Sequence, residues 1–172
     1  MISSSTEKAL NRQVALEGYA SAYYLSMASW CDQGGFDGSA AFLYRHSDEE
    51  RMHMLKLVHH INSLGGQALS PEIAKIPHRF KSLHEIFELI LKHEISVTTE
   101  INKLADTCMK QRDYTTFNFL QWYIAEQQEE ESLFNRILDK FKIMGTDGKS
   151  LYLIDQYIGK LIAKEAGPGE SD

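Results

Sequence analysis

A chain of 172 residues is of single-domain size and can bury roughly two thirds of its unfolded surface, so a core needs neither disulfides nor a structural metal. Its 18 Lys plus Arg stand against 24 Asp plus Glu, and the net charge of -6 argues against a nucleic-acid surface while suiting acidic sites for cations. Cys31 and Cys108 form no CxxC pair, the start MISSSTEKAL has no signal-peptide pattern, and no apolar run reaches about 18 residues, so a soluble protein of the reducing cytoplasm with no membrane partner is expected.

Ser4 and Glu7 are spaced as a capping box, and a helical pattern runs from about residue 5 to Gly34 and Gly35. Steps of three and four residues place Leu10, Val14, Glu17, Ala20, Tyr24 and Met27 on its buried stripe. A second helix starts near Asp37 and closes at Gly65 and Gly66. Its stripe is Phe42, His46, Glu50, His53, Leu57, Ile61 and Leu64, so the segment HSDEERMH turns an acid and a histidine, Glu50 and His53, toward the core.

The next segment, LGGQALSPEIAKIPHRF, holds two of the three prolines and interrupts the helical pattern. Ser82 and Glu85 form a second capping box and open a third helix running to about 110, with Leu83, Phe87, Ile90, Glu94, Val97, Ile101, Leu104 and Cys108 on one line. Asp113 is placed to cap a fourth helix that runs to Gly145 and buries Leu120, Tyr123, Gln127, Glu130, Phe134, Ile137 and Phe141. A short fifth helix, about 149–163, carries Leu153, Ile154, Tyr157, Ile158, Leu161 and Ile162, too broad an apolar surface for a helix facing water alone. Residues 1–163 read as one domain, and the polar tail 164–172 is expected to be disordered.

Short links join the first helix to the second and the third to the fourth, giving two antiparallel hairpins. The middle link of about 16 residues reaches roughly 50 Å when extended, more than the roughly 40 Å of a 27-residue helix. It spans the bundle, which makes the second and third helices parallel: an all-α four-helix bundle with one long crossover.

Glu17, Glu50, Glu94 and Glu130 each sit near the middle of a helix and so meet at one height whichever way the helices run. One acid on an apolar stripe usually bends outward or finds a lysine. Four acids in one layer, with no core-facing Lys or Arg, cost many kcal/mol in desolvation and repulsion that bound cations relieve. Carboxylate oxygens with one imidazole and no thiolate suit iron or manganese, and Glu-x-x-His with glutamates from the other helices is the dinuclear carboxylate pattern.

On these residues the chain resembles the non-haem ferritins of prokaryotes, over about residues 5–163. The resemblance implies a ferritin-like bundle whose ferroxidase centre holds two irons, Glu17 and His53 on the first, Glu50 bridging, and Glu94 and Glu130 on the second, with Gln127 hydrogen-bonding inside the centre. Glu49, Glu126 and Glu129 match the family's adjacent third iron site, and Tyr24 its tyrosine beside the irons; the roles of Trp122 and His46 stay open. No haem is expected: the second Glu-x-x-His of the bacterioferritins is absent, since that stretch runs from Gln127 to Glu130, and Arg51 stands where their haem methionine would, with Met52 one residue late. Further implied are Fe(II) and O2 or H2O2 as substrates, a homo-oligomeric shell of 24 subunits storing ferric mineral, and fifth helices meeting at a symmetry axis. A discrete dinuclear oxidase or peroxidase without storage, a metal-free helical module and a manganese site in the same frame are the alternatives.

Overall fold

A computed structural model describes residues 2–165, with side chains as far as Ile162. Its elements are α1 (Ser4–Gln33), α2 (Asp37–Ser63), α3 (Leu83–Gln111), α4 (Tyr114–Met144) and α5 (Gly148–Glu165). The expected polar tail lies outside the described residues from 166 onward, and α5 runs to Glu165, two residues past its expected end.

The caps follow the expected chemistry with two shifts of one residue. Ser3, not Ser4, caps α1, its hydroxyl accepting from the Thr6 N–H at 3.1 Å. At α3 the Ser82 hydroxyl accepts from the Glu85 N–H at 3.1 Å, but Glu85 returns its carboxylate to the N–H of Lys81 rather than Ser82. Glu85 thus secures the residue before the cap, because the chain enters the helix extended (φ -162° at Ser82). Asp113 caps α4 as expected, accepting from the Thr116 N–H at 3.0 Å.

α1 packs on α2 and on α3, α3 on α4, and α5 on α2 and α4. The crossover runs the length of α1. Gln67 N–H donates to Glu7, Asn11 holds both Gln67 and Leu69, Pro71 lies against Gly18, and Ser26 donates to the Pro77 carbonyl. From Glu7 to Ser26 is about 28 Å of helix, so the crossover delivers the chain to the opposite end of the bundle. A Cβ on Gly18 would sit 2.9 Å from the Pro71 ring, so a glycine lets the link lie flat.

The apolar interior is two clusters rather than one. Tyr24, Met27, Phe42, Leu43, Phe87, Ile90, Phe134 and Ile137 belong to the first, which α5 joins through Ile154, Ile158 and Leu161. The second holds Leu10, Val14, Leu57, Ile61, Val97, Ile101, Leu104, Leu120 and Tyr123. Between them lies the layer of Glu17, Glu50, His53, Glu94, Gln127 and Glu130, all buried.

α5 is bolted to the start of α2. Phe36, at the cap position of α2, offers no side-chain oxygen. Asp155 takes that role across the fold, accepting from the Gly38 N–H at 3.0 Å and from the Ser39 N–H and hydroxyl at 2.7 Å each. The backbones cross so closely that a Cβ on Gly38 would lie 2.2 Å from the Asp155 carbonyl oxygen and one on Gly159 3.0 Å from the Gly38 Cα. Arg45 of α2 holds the other end, donating to the Ile162 carbonyl at 2.8 Å. The broad apolar face docks on its own bundle only in part: Tyr152 is 65 % and Leu153 44 % exposed.

Candidate metal centre

Each helix sends one acid into the layer because its 3.6-residue period puts Glu17, Glu50, Glu94 and Glu130 on otherwise apolar stripes. None of these four residues is more than 5 % exposed. Glu17, Glu50 and His53 offer three donor atoms within 4.8 Å of one another. His53 Nδ1 stands 3.6 Å from Glu17 Oε2 and 3.5 Å from Glu50 Oε2, close for charge but outside hydrogen-bond reach. It is buried with no hydrogen-bond partner, and so is Glu130 Oε2.

Glu94 is held from two sides. The Tyr24 hydroxyl donates to its Oε1, and Gln127 Nε2 donates to its Oε2 at 2.9 Å and to its backbone carbonyl at 3.2 Å. Glu17 is held by Tyr123, whose hydroxyl donates to Oε1. His46 rests Nδ1 3.1 Å from the Phe42 carbonyl and presents Nε2 3.6 Å from Glu130 Oε2.

Burial raises the affinity of these acids for protons. It pushes Glu17 up to about 8, with the charges of Glu94 and Glu130 adding to it, and Glu94 up to about 7, with Glu130 as the next cause. Glu50 is raised well above the carboxylate range by burial and by Glu17. Burial opposes charge on the histidines, but Glu130 outweighs it at His46, lifting it to about 9, and Glu50 outweighs it at His53, which is also raised. The layer therefore holds more protons than its acids would keep in water, and a cation binding there releases them.

The sequence reading grouped Glu49, Glu126 and Glu129 beside the layer. The structure brings Glu49 and Glu126 together with His53, and Glu49 with His46 and Glu130. Glu129 is exposed and lines the adjoining cavity of about 380 Å³ with Arg45, His46, Glu49, Glu126 and Glu130. Burial raises Glu126 above the usual carboxylate range, and the charges of Glu130, Glu49 and Glu129 add to it.

Two residues at the layer went unassigned in the sequence. His46 lay on the correct stripe, one turn before Glu50 and His53, so its proximity was visible but its partner on α4 was not. Tyr123 looked like ordinary core, and nothing in the spacing tells a buried phenol bonded to an acid from one bonded to backbone. Trp122 stacks on Tyr123 with centroids 4.9 Å apart and sits 5.4 Å from the His53 ring, under the Lys56 ammonium at 3.5 Å. Of the histidines without ligand spacing, His60 stacks on Phe119 at 3.7 Å, and His93 packs among Tyr19, Tyr23 and Tyr24, where burial lowers it to about 4.

The donor set is oxygen-rich with imidazole, it leaves two buried donor atoms unpartnered, and it sits where four helices converge. This is a helical bundle built around an intra-bundle carboxylate–histidine site. The profile of the ferritin-like domain matches residues 7–144, and the chain belongs to the ferritin family, among the bacterial non-heme ferritins. It is 47% identical to a probable bacterial non-heme ferritin-like protein of Haemophilus influenzae, over 95% of this chain and 99% of that one. It is 45% identical to the bacterial non-heme ferritin of Campylobacter jejuni, over 92% and 95%. The open pore ferritin of Archaeoglobus fulgidus superposes with a TM-score of 0.89 at 35% identity, covering 92% of this chain and 98% of that one.

Proposed function

We propose that the chain is an iron-storage ferritin that oxidises Fe(II) with O2 or H2O2 at the buried layer and stores the Fe(III) product as mineral inside a cytoplasmic homo-oligomeric shell of 24 subunits. In this reading residues 1–163 are the ferritin-like domain. Glu17 and His53 bind one iron, Glu94 and Glu130 the other, and Glu50 bridges them. Glu49, Glu126 and Glu129 hold a third iron beside them. The observation that carries the reading is that His53 Nδ1 and Glu130 Oε2 are buried without a hydrogen-bond partner among four buried carboxylates, an arrangement that costs stability unless cations fill it.

Iron supplies the electrons: two Fe(II) each give one, and O2 takes both with two protons to become H2O2, or H2O2 takes both with two protons to become two waters. The residues supply the rest. Carboxylate oxygens favour the harder Fe(III) over Fe(II). Gln127 and Tyr24 fix Glu94 in one orientation, so the site does not reorganise as charge rises. The apolar clusters on both sides keep bulk water away, and the Tyr24 hydroxyl, whose proton is committed to Glu94, can accept a hydrogen bond from a protonated oxidant or supply one further electron to it, its own proton passing to Glu94.

Aerobic Fe(II) loading followed by size-exclusion chromatography, with iron and protein measured in the same fractions, tests the whole reading. Hundreds of irons in a very large particle, on the order of tens per chain, support storage, whereas about two or three per chain in a small species indicate a discrete two-metal oxidase. Glu50→Ala with His53→Ala should abolish fast oxidation with helix content intact. A double variant oxidising iron at the wild-type rate refutes the assignment of the centre.

A further inference from the structure

Tyr123 is fully buried on α4, seven residues before Glu130 on the same stripe. Its ring is fixed by the stack on Trp122, and its hydroxyl donates to Glu17 Oε1 on α1. That contact divides the two oxygens of Glu17. Oε1 is engaged by the phenol, and Oε2 faces His53 Nδ1 at 3.6 Å, in the cluster that includes Glu50. A carboxylate with one oxygen held by a neutral donor presents the other as a single ligand, and a ligand so oriented needs less ordering when an ion arrives. Glu94 differs: Tyr24 donates to its Oε1 and Gln127 to its Oε2, so the division of one held and one presented oxygen belongs to Glu17.

We propose that Tyr123 is the positioning residue of the Glu17–Glu50–His53 subsite, holding Glu17 as a one-oxygen ligand and thereby setting the affinity and coordination number of the ion bound there; this rests on the reading of the layer as a metal centre. Tyr123 touches no ion and acts through Glu17. Its reach is confined to one subsite, because the partners of Glu94 are Tyr24 and Gln127.

Anaerobic titration of the assembled protein with Co(II), followed by its visible absorption, provides the test independently of oxidation. Tyr123→Phe keeps the ring and removes the hydroxyl. It should weaken the subsite containing Glu17 about tenfold or more, as loss of a partner behind a ligand does, and lower the absorptivity of that Co(II) as Glu17 swings to two-oxygen binding. The binding step at Glu94 and Glu130 should stay as in the wild type. In a Glu17→Gln background the same change should add nothing. A Tyr123→Phe protein that binds Co(II) with wild-type affinity and spectrum refutes the proposal. So does an equal loss in both backgrounds, or an equal loss at both subsites with a lowered melting temperature, each of which marks a packing effect. Wild-type protein that takes up no Co(II) in the layer overturns the metal-centre reading itself, and is thereby distinguished from failure of this inference alone.

Discussion

Raising the pH from 5 to 8 should destabilise the metal-free protein, opposite to the acid denaturation usual for folded chains. Glu17 keeps its proton up to about pH 8 when folded and gives it up near 4.5 when unfolded. Between those values the unfolded state binds fewer protons, so stability is full below about pH 4.5 and is lost as the pH rises through the folded value. Each pH unit in that window costs about 1.4 kcal/mol, so Glu17 alone withdraws about 3 kcal/mol by pH 7. Glu94, raised to about 7, and Glu50 act in the same direction. His46, raised to about 9, continues the decline above its unfolded value of 6.5. At about 2–4 °C per kcal/mol for a chain of this size, the Glu17 contribution is about 6–12 °C of melting temperature. Calorimetry of the chelator-treated protein at pH 5, 6, 7 and 8 reads it directly. Glu17→Gln should melt above the wild type by about that margin at pH 7 and by far less at pH 5. Saturating Co(II) should flatten the wild-type decline, because the ion takes the place of the protons. A metal-free wild type whose melting temperature stays level or climbs from pH 5 to 8 would show that the buried acids are not held protonated, and the reasoning fails.

Asp155→Ala removes three hydrogen bonds from the first turn of α2 and should cost about 2–4 kcal/mol, read as a melting temperature lowered by about 4–16 °C. Gly38→Ala forces a methyl to within 2.2 Å of the Asp155 carbonyl, so α5 must move; amide exchange across Gly148–Glu165 should accelerate while that of α3 stays unchanged. Glu49→Gln combined with Glu126→Gln should lower anaerobic Fe(II) binding by about one ion per chain, measured by calorimetric titration, and leave the layer's own uptake in place.

The fold was legible because it rests on short-range rules. Four stripes at 3.6-residue period, glycines at 34, 35, 65 and 66, and a proline-bearing link long enough to cross the bundle leave little freedom, and the acid layer follows from the same period at Glu17, Glu50, Glu94 and Glu130. The cap on α1 fell at Ser3 rather than Ser4 because either serine fits the local pattern and only the register of the first turn decides. What stayed hidden depends on which helix faces which. That His46 meets Glu130, that the Tyr123 phenol donates to Glu17 rather than to a backbone carbonyl, and that Asp155 caps a helix 116 residues earlier at Ser39 are contacts between elements distant in sequence. No spacing within one helix encodes them.

The split interior carries a consequence for how the bundle coheres. With apolar packing above and below a band of acids, the empty molecule resembles two short bundles threaded on the same four helices, and its weakest cross-section is the waist between them. On the ligand assignment proposed above, an ion caught by Glu17, Glu50 and His53 would pin α1 to α2, one caught by Glu94 and Glu130 would pin α3 to α4, and a bridging Glu50 would tie the two hairpins together. A cation bound there would thus act as a clasp at the place where the scaffold has least of its own, and its removal would slacken the fold at the waist.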